Sequence, residues 1–521
     1  LNSLSNGFAF DDLGIIVDNP TVHDLGDLLR IWGTPYWPGA DGLERGLYRP
    51  LTVFLFAIQW AAGQGSPIPF HVLNVGLHAL ASVLVYRLLD HLVGWKGALP
   101  AALLFAVHPV HVEAVANVVG QAELLSAAGL HAACVAYAER PDHGRVSGRR
   151  QVLILVFFLM AVLAKEHAVV LPALLLVLDG AQGRLRRPGY LDPAIRMTVA
   201  LVAVGGVYLV LRFAVLGGSL TGNAPGNLGF LLDPPTRIRT ALAVWPHYAR
   251  LMVFPAHLSA MYDPATIPPM LSVSPSVVAG GFLLMAVLVT MATPSAWPAL
   301  GLGSAWFMIT VLPVSNLLVP IGTVLAERTL YLPSVAGALW VAYGLRRLLD
   351  SPSRPGRQVL AGVAGVCVVA LGFGLKTIAR NPVWDSNEVL FKTTLEDHPE
   401  SFRAQWFEAM RLTDMGNPDL AREHWARAFQ IYPAHAGFLA AYARFLLDEG
   451  DVEGAEDMAN RALEIQPEAA SALFTSGLVE IARERPDEAE SRAGDLRVLG
   501  FDALAGQLED SIRTADPRDS R

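Results

Sequence analysis

The sequence predicts an all-α protein in two parts, a polytopic membrane part followed by a soluble solenoid of helical repeats. The composition is the first indication, because 53% of the 521 residues are hydrophobic and only 17% are charged, whereas soluble domains carry roughly 25% charged residues. The second is a series of apolar stretches long enough to cross a bilayer. The third is a change, from about residue 395 onward, to an acidic helical pattern that repeats every 34 residues.

Nine apolar stretches have spanning or near-spanning length. They cover residues 71–93, 98–115, 121–139, 152–180, 197–216, 274–293, 296–316, 332–347 and 357–377. Short basic clusters flank several of them and are expected to face the cytoplasm. The clusters are Arg140, Arg145, Arg149 and Arg150, then Arg184, Arg186, Arg187 and Arg196, and finally Arg346, Arg347, Arg354 and Arg357.

The stretch 152–180 has a basic cluster at both ends, which a single crossing cannot place on one side of the membrane. A hairpin of two short helices satisfies both clusters and puts Ala164-Lys165-Glu166-His167 at its outer tip, since short helices are tolerated when other helices surround them. Residues 49–62 and 239–256 are expected to form interfacial helices on the outer face. The chain then crosses ten times. Because it begins at Leu1, almost on an acidic pair, we expect an eleventh helix to precede it.

The C-terminal region has the period of tetratricopeptide repeats, which are helix–turn–helix units of 34 residues. Small residues and prolines recur at this spacing: Pro399, Pro433 and Pro467; Ala421, Ala455 and Ala489; Gly416 and Gly450; Ala428 and Ala462. The alternative is an alanine-rich bundle without true repeats. The third unit is expected to decay after Ala489, and residues 511–521 are expected to be disordered.

Composition excludes some other classes of function. The net charge of -8 and the lack of a dense basic stripe argue against nucleic-acid binding. Cys134 and Cys367 both fall in apolar stretches, which indicates neither a disulfide nor a metal site. A transporter would be expected to show inverted repeats with broken helices, and the sequence has no such internal symmetry.

Two adjacent aspartates, Asp11 and Asp12, are the first candidate site residues. A carboxylate at bilayer depth costs at least about 2.5–3.5 kcal/mol, so acids in a membrane protein are functional candidates. The alternative is a solvated turn or a helix N-cap. Counting crossings places the aspartates, residues 108–120, the hairpin tip, residues 326–328 and the repeats on one outer face.

The order of motifs in residues 7–400 resembles that of the transmembrane and tetratricopeptide-containing O-mannosyltransferases, which are GT-C glycosyltransferases that use lipid-phosphate sugars. The matching stretches are FAFDD 8–12, YRPL 48–51, FHVLNVGLH 70–78, FAVHPVHVEAVANVVGQAELL 105–125, AKEH 164–167, LPVSNLL 312–318, AERTLYLPS 326–334 and Trp384. The resemblance implies an eleven-helix GT-C membrane enzyme with an outward-facing site. It divides the chain into a catalytic domain at 1–380 and a repeat domain at 395–510.

The resemblance implies that Asp11 is the general base, which accepts the proton of an acceptor hydroxyl during attack on the anomeric carbon. Asp12 is expected to orient the acceptor or to hold a divalent ion, and a cap is the alternative. No other cofactor is expected. Arg328 is the first candidate for the donor phosphate, because guanidinium binds phosphate through paired hydrogen bonds. Lys165 and Arg49 are further candidates. An internal salt bridge is the alternative for Arg328, a Lys165–Glu166 pair for Lys165, and contact with lipid headgroups for Arg49.

Eight further residues are expected to line a polar pocket: His71, His108, His111, Glu113, Glu123, Glu166, Glu327 and Tyr331. His108, His111 and Glu113 also offer three metal ligands, but their spacing and Pro109 keep them off one helix face. His71, Asn74 and His78 do share a face and are expected to make interhelical hydrogen bonds.

The predicted function is transfer of a sugar, expected to be mannose, from a polyprenyl-phosphate donor to a hydroxyl, expected to belong to protein Ser or Thr, with inversion. The predicted partners are the donor lipid, the membrane and an acceptor protein bound by the repeats. The composition resembles that of bacterial proteins, so we expect an inner-membrane protein with a periplasmic site, or a lumenal site if the chain is eukaryotic. The alternatives are glycosylation of a lipid or envelope glycan and a non-catalytic membrane scaffold.

Overall fold

The described part of the chain is built from helices, which confirms the predicted fold class. The structure is a computed structural model and describes residues 2–39, 42, 45–140, 146–186, 191–218, 232–293, 298–321, 323–350 and 356–515. The membrane part comprises α1 (Pro20–His23), α2 (Pro50–Gly63), α3 (Ile68–Val93), α4 (Trp95–Ala106), α5 (Val112–Ala116), α6 (Gln121–Ala138), α7 (Gly148–Ala164), α8 (Leu171–Ala181), α9 (Leu191–Val215), α10 (Pro234–Val253), α11 (Pro275–Ala292), α12 (Pro298–Val311), α13 (Val335–Leu349) and α14 (Gly356–Arg380).

Within the described ranges, five helical segments are long and apolar enough to cross a membrane. They are Ile68–Val93, Val118–Ala138, Ala194–Val215, Pro275–Ala292 and Leu360–Trp384. A sixth, Trp95–Ala106 with Pro109–Ala116, is bent by 49° at a break. The other four crossings expected from the sequence correspond to shorter helices, α7, α8, α12 and α13. The chain is therefore a polytopic membrane protein, and the count of ten stays a prediction.

Burial distinguishes the central helix from the outer ones. The apolar window of Val118–Ala138 is 83% buried within the protein, whereas that of Leu360–Trp384 is 0% buried. The latter exposes Leu360, Val368 and Leu371, as expected of a helix that faces lipid. The N-terminal end of α6 therefore reaches the interior of the protein, which is where the candidate site lies.

The stretch 152–180 forms two helices, α7 and α8, with a 3-10 turn at Glu166–Val170 between them, as predicted. The C-terminal ends of α6 and α8 meet at a buried ion cluster, away from this turn. Arg140 places Nη2 2.5 Å from Oδ1 of Asp179, and Nη1 of Arg184 lies 3.7 Å from the same oxygen. These two arginines were predicted to mark the cytoplasmic face, but their side chains are buried in the protein. They do show that α6 and α8 end on the same side of the helical bundle. Arg145, Arg187 and Arg354 lie outside the described residues.

The repeat part follows the 34-residue period closely. It contains α15 (Asn387–Asp397), α16 (Phe402–Asp414), α17 (Pro418–Ile431), α18 (Ala436–Asp448), α19 (Val452–Ile465), α20 (Ala470–Ala482), α21 (Pro486–Val498) and α22 (Asp502–Ala515). The first helices of three units begin at 402, 436 and 470, and their second helices begin at 418, 452 and 486. The alanines predicted at the helix contacts are fully buried.

The third unit is more regular than predicted. Instead of decaying after Ala489, α21 continues to Val498 and α22 extends to Ala515. Leu496, Ala505 and Leu508 form its core, so this pair has apolar burial of its own. The helix therefore continues past residue 511, where disorder was expected to begin, and residues 516–521 lie outside the described residues.

The turn of the third unit contains a strained residue. Gly416 and Gly450 have φ values of +70° and +81°, and Glu484 at the equivalent position has φ +60°. This conformation costs a residue with a Cβ about 1–2 kcal/mol. We therefore expect Glu484→Gly to raise the free energy of unfolding of the repeats by roughly 1 kcal/mol, measured by denaturant titration of the full chain. Glu484→Ala removes the same charge but keeps the strain, so an equal gain in both variants would contradict this explanation.

The repeats dock on the membrane part through hydrogen bonds. Asp263, in the loop after α10, accepts from Ser401 Oγ at 2.8 Å and from the Arg403 backbone N–H at 3.1 Å. On the other side, the Asn6 amide donates to the Asn381 carbonyl at 2.9 Å. These contacts hold the first repeat helix next to the N-terminal segment that carries the two aspartates.

Candidate active site

The segment that carries the two aspartates is fixed by close backbone contacts. Gly7 donates its N–H to the Asp385 carbonyl oxygen at 2.9 Å, and a Cβ at Gly7 would lie 2.8 Å from that oxygen. Phe10 has φ +58°, its N–H donates to Asn387 Oδ1 at 2.6 Å, and its ring packs against Phe407. Such strain persists only where the surroundings enforce it, and it clusters at functional sites.

Asp12 is a buried anchor. Its Oδ2 accepts from the Ala9 N–H at 3.1 Å and from the Val118 N–H at 3.3 Å, and its Oδ1 accepts from the Val119 N–H at 2.8 Å. Burial raises the pKa of Asp12 to about 7, although these hydrogen bonds oppose the rise. The carboxylate therefore joins the N-terminal segment to the start of the central membrane helix, and both oxygens are occupied by backbone donors.

Asp11 points away from this anchor and faces an arginine. Its side chain is 23% exposed, and its Oδ2 lies 3.9 Å from Arg328 Nη2. Arg328 is held from the other side by Glu113, which accepts from the Arg328 backbone N–H at 2.8 Å and pairs with Nη1. The salt-bridge alternative for Arg328 is thus present, with Glu113 as the partner. The Nη2 side still faces Asp11.

The other two candidate cations also have acidic partners. Arg49 makes a two-point contact with Glu166, at 3.0 Å and 2.8 Å. Lys165 pairs with Glu123, not with its neighbour Glu166. Burial would raise the pKa of Glu166, but the adjacent Arg49 holds it well below its usual range. Arg49 and Lys165 both lie close enough to interact electrostatically with Arg328.

The polar residues of α3 make hydrogen bonds, but these mostly reach connecting segments; an interhelical contact is that of His78 Nε2 with the Ala106 carbonyl at the end of α4, at 2.9 Å. The His71 ring nitrogen Nε2 contacts the Gly7 carbonyl at 3.3 Å, so α3 also holds the aspartate segment. Asn74 donates to the Asn117 carbonyl at 3.2 Å. His78 Nδ1 contacts the Tyr331 hydroxyl at 2.8 Å. These residues position the site and have partners within the protein.

The remaining histidines of the site are also internal. His108 Nε2 lies 3.1 Å from the Met252 carbonyl, and His111 Nε2 lies 2.8 Å from Ser334 Oγ. Across the described residues, no three His, Cys, Asp or Glu side chains are grouped so that they could hold a metal ion. Asp12, the residue proposed from the sequence as a possible ion ligand, is already occupied by three N–H donors.

Glu327 is buried next to hydroxyl and amide donors. Its Oε1 accepts from the Ser259 N–H at 2.6 Å and from the Tyr262 hydroxyl at 2.8 Å. Burial raises the pKa of Glu327 to about 8, with the charge of Glu113 adding to the rise. The folded protein therefore holds a proton here that the unfolded chain releases near pH 4.5.

This proton gives a prediction for pH dependence. A raised carboxyl pKa stabilises the folded state fully below about pH 4.5, and that stabilisation is lost as the pH rises to about 8. The loss is at most about 1.4 kcal/mol per pH unit. Glu327→Gln keeps the acceptor oxygen and does not titrate. The melting temperature of this variant should therefore fall less than that of wild type between about pH 5 and about pH 8. Parallel melting curves for both proteins would contradict this.

A large cavity opens beside Asp11. It has a volume of about 980 Å³ and runs between the N-terminal segment and the repeats. Asp11, Phe10 and Trp37 form one wall, and Arg403, Phe407 and Phe474 are on the repeat side. Arg328 lines a second, smaller cavity with Arg403 and His435. The eight residues predicted to line a pocket are not on the walls of these two cavities.

Sequence reasoning missed three residues near the site. Tyr36 is 2% exposed and is influenced by the charges of Arg49, Asp11, Asp12 and Arg328. Asp263 and Arg403 lie at the junction with the repeats. Tyr36 stands in an irregular segment rich in Gly, Pro and Trp, outside any recognised motif, so no spacing pattern pointed to it.

Comparison with known proteins gives relatives for most of the chain. Residues 412–476 match the family model described as tetratricopeptide repeat. The chain is 29% identical over 478 residues to protein O-mannosyl-transferase TMTC3 of Mus musculus, which covers 84% of this chain and 50% of that protein. It is 28% identical over 483 residues to TMTC1 of Homo sapiens, covering 84% and 54%. A Caenorhabditis elegans protein O-mannosyl-transferase, F38B6.6, is 27% identical over 444 residues, covering 84% and 61%.

A solved structure is also similar. The oligosaccharyltransferase of Archaeoglobus fulgidus has a TM-score of 0.40 and 13% sequence identity, covering 72% of this chain and 49% of that one. A similarity of this size carries no argument about fold or activity. The chain spans about half the length of the first mouse relative. The chain is therefore similar over most of its length to protein O-mannosyl-transferases of the TMTC type, and it carries tetratricopeptide repeats.

Proposed function

We propose that the chain is a membrane glycosyltransferase that moves mannose from a polyprenyl-phosphate donor to a Ser or Thr hydroxyl of a protein. The observation that carries the proposal is the position of Asp11. This carboxylate lies 3.9 Å from Arg328 and forms part of the wall of a cavity bounded on its other side by the repeats. A base, a phosphate-binding cation and a protein-binding surface therefore meet at one place.

The reaction uses Asp11 as the general base. The acceptor oxygen forms a bond to the anomeric carbon while the bond from that carbon to the phosphate oxygen breaks. The electron pair leaves with the phosphate, and the hydroxyl proton passes to Asp11. Attack from the face opposite the phosphate inverts the anomeric configuration. A carboxylate is a weak base, so it accepts the proton as the new bond forms and not beforehand.

Arg328 is the proposed ligand of the donor phosphate. Glu113 holds the backbone N–H and Nη1 of Arg328, which leaves the Nη2 side directed toward Asp11. Phosphate gains charge as the sugar leaves, and a fixed guanidinium stabilises that charge without reorganising. Arg49 and Lys165 are the further candidate cations near Arg328, but each is neutralised by its own carboxylate and so adds little net positive charge.

The repeats are proposed to deliver the acceptor. Trp406, Phe407 and Met410 on α16 line the cavity with Phe474 on α20, so aromatic surface continues from the repeats to Asp11. A polypeptide segment bound along this surface would pass the base. We place the site and the repeats on the outer face of the membrane, in accordance with the basic clusters at the other end of the helices.

The test is a transfer assay with the purified chain in liposomes. Dolichyl-phosphate mannose and undecaprenyl-phosphate mannose serve as donors, and Ser/Thr peptides and a lipid extract serve as separate acceptors. Addition of hexose to the peptides, detected by mass spectrometry, is the expected result. Transfer only to the lipid extract would move the acceptor to a lipid or envelope glycan. No transfer from either donor by folded protein would favour the scaffold.

A further inference from the structure

One buried hydroxyl near the candidate site, that of Tyr36, has no hydrogen-bond partner among the described residues. The Tyr36 side chain is 2% exposed, and its Oη makes no hydrogen bond within the described part of the chain. Buried hydroxyls are almost always hydrogen-bonded, so one that is not requires an explanation. A ligand that binds beside it is one such explanation.

The segment around Tyr36 is held firmly, so the position of the hydroxyl is set by the fold. The Tyr36 backbone N–H donates to the Leu47 carbonyl at 2.8 Å. The next tyrosine, Tyr48, donates its hydroxyl to the Trp32 carbonyl at 2.8 Å. The Tyr36 ring belongs to a buried cluster with Ile15 and Val53, and the Arg49 guanidinium carbon lies 4.8 Å from the ring centre.

The charges around Tyr36 are those of the proposed reaction. Four charged side chains act on Tyr36 electrostatically: the proposed phosphate-binding cations Arg49 and Arg328, and the carboxylates Asp11 and Asp12. Burial, above all, raises the pKa of the Tyr36 phenol, with the carboxylates adding to the rise. The phenol therefore keeps its proton at neutral pH and has it available for donation.

We propose that Tyr36 donates its hydroxyl hydrogen to a phosphate oxygen of the lipid-linked donor. This rests on the function proposed above. Phosphate fits these surroundings, because an anion bound near Arg49 and Arg328 accepts a neutral O–H donor, whereas Asp12 already has three N–H donors and Asp11 faces Arg328. The bond strengthens as the sugar leaves, because the phosphate oxygen then takes up negative charge.

The test compares three proteins with the same phosphate lipid. Wild type, Tyr36→Phe and Tyr248→Phe are placed in nanodiscs, and binding of dolichyl phosphate is measured against dolichol, which lacks the phosphate. Tyr248 is the matched control because it is 1% exposed and its hydroxyl also has no partner. Burial alone raises its pKa, with no charged group contributing. Both variants remove an unpartnered hydroxyl, so both should melt at or above the wild-type temperature.

We expect Tyr36→Phe to weaken phosphate-dependent binding by about tenfold to a hundredfold, as for a hydrogen bond to a charged group. Tyr248→Phe should bind as wild type does. In the transfer assay, Tyr36→Phe should raise KM for the donor or lower kcat, and leave KM for the acceptor peptide unchanged. A residue with only a structural role would not produce this split.

The outcomes separate this inference from the proposed function. Wild type that fails to bind dolichyl phosphate overturns the role of Tyr36, whatever the transfer assay shows. Equal binding by wild type and Tyr36→Phe overturns it as well, while transfer by wild type would leave the enzyme class intact. Tyr36-dependent binding without any transfer would support the phosphate contact and reject the glycosyltransferase.

Discussion

Asp11→Asn is expected to lower mannose transfer by a factor of about 10² to 10⁴, the range that a positioned general base contributes. The amide has the shape of the carboxylate but cannot accept the hydroxyl proton. Among the described residues, the close charged contact of Asp11 is Arg328 at 3.9 Å, and the Asp11 side chain is 23% exposed. Folding should therefore be almost unaffected. Initial rates at saturating donor and acceptor would measure the effect, since it should appear in kcat.

Asp18→Asn is the matched control for this change. Asp18 lines the same cavity as Asp11 and is exposed, so the variant removes one negative charge from the same wall without approaching Arg328. Its transfer rate should stay near that of wild type. Equal rates in Asp11→Asn and wild type would remove Asp11 from the reaction. An equal loss in both variants would indicate that the charge of the cavity matters and not a base.

Asp11 and Asp12 are adjacent in the sequence but have different surroundings in the fold. The sequence predicted both as site residues, with a helix cap or an ion ligand as the further readings for Asp12. The fold separates them, because Asp12 turns inward to accept three backbone N–H groups while Asp11 faces a cavity. Two of these three donors, Val118 and Val119, lie 106 and 107 residues away. Local sequence carries no information about donors at that distance.

The regular features were predictable because they depend on local periodicity. The repeat helices begin 34 residues apart, at 402, 436 and 470, and the hairpin breaks at the predicted tip. Ion pairing was not predictable in the same way. Arg328 pairs with Glu113 across 215 residues, not with adjacent Glu327, and Lys165 pairs with Glu123. Charges that adjoin in sequence point to different sides of a short turn, so their partners come from other helices.

The basic clusters illustrate the same limit at the other end of the bundle. Arg140 and Arg184 were predicted, as members of basic clusters, to face the cytoplasm. In the structure, their side chains are both 2% exposed and gather around Asp179, a residue that no motif distinguished. The Tyr137 hydroxyl also donates to Asp179 Oδ2 at 2.6 Å. The two arginines therefore mark one common end of α6 and α8 although both are buried, and which side of the membrane that end faces stays a prediction.

Asp179→Ala is expected to destabilise the protein by about 3–5 kcal/mol, the cost of leaving a buried charge without its partner. The Asp179 side chain is 0% exposed, and its removal takes away the carboxylate that accepts from Arg140 Nη2 and from the Tyr137 hydroxyl. Thermal melting of the detergent-solubilised chain would measure the loss. Glu139→Ala is the control, because it breaks an ion pair with Arg87 at the same end of α6, where the side chains are 30% and 52% exposed. Such a pair contributes about 0–1 kcal/mol.

Substitutions near the two ends of the central helix α6 should affect stability and activity separately. The 18 residues of α6 place Asp179 about 27 Å from the start of the helix, where Asp12, Glu123 and Lys165 meet. Asp179→Ala should therefore reduce the amount of folded protein but leave the transfer rate per folded molecule near that of wild type. Asp11→Asn should show the reverse. If Asp179→Ala melted like Glu139→Ala, the ion cluster would contribute no more than a surface pair. If it lowered the rate per folded molecule, the two ends of the helix would be coupled.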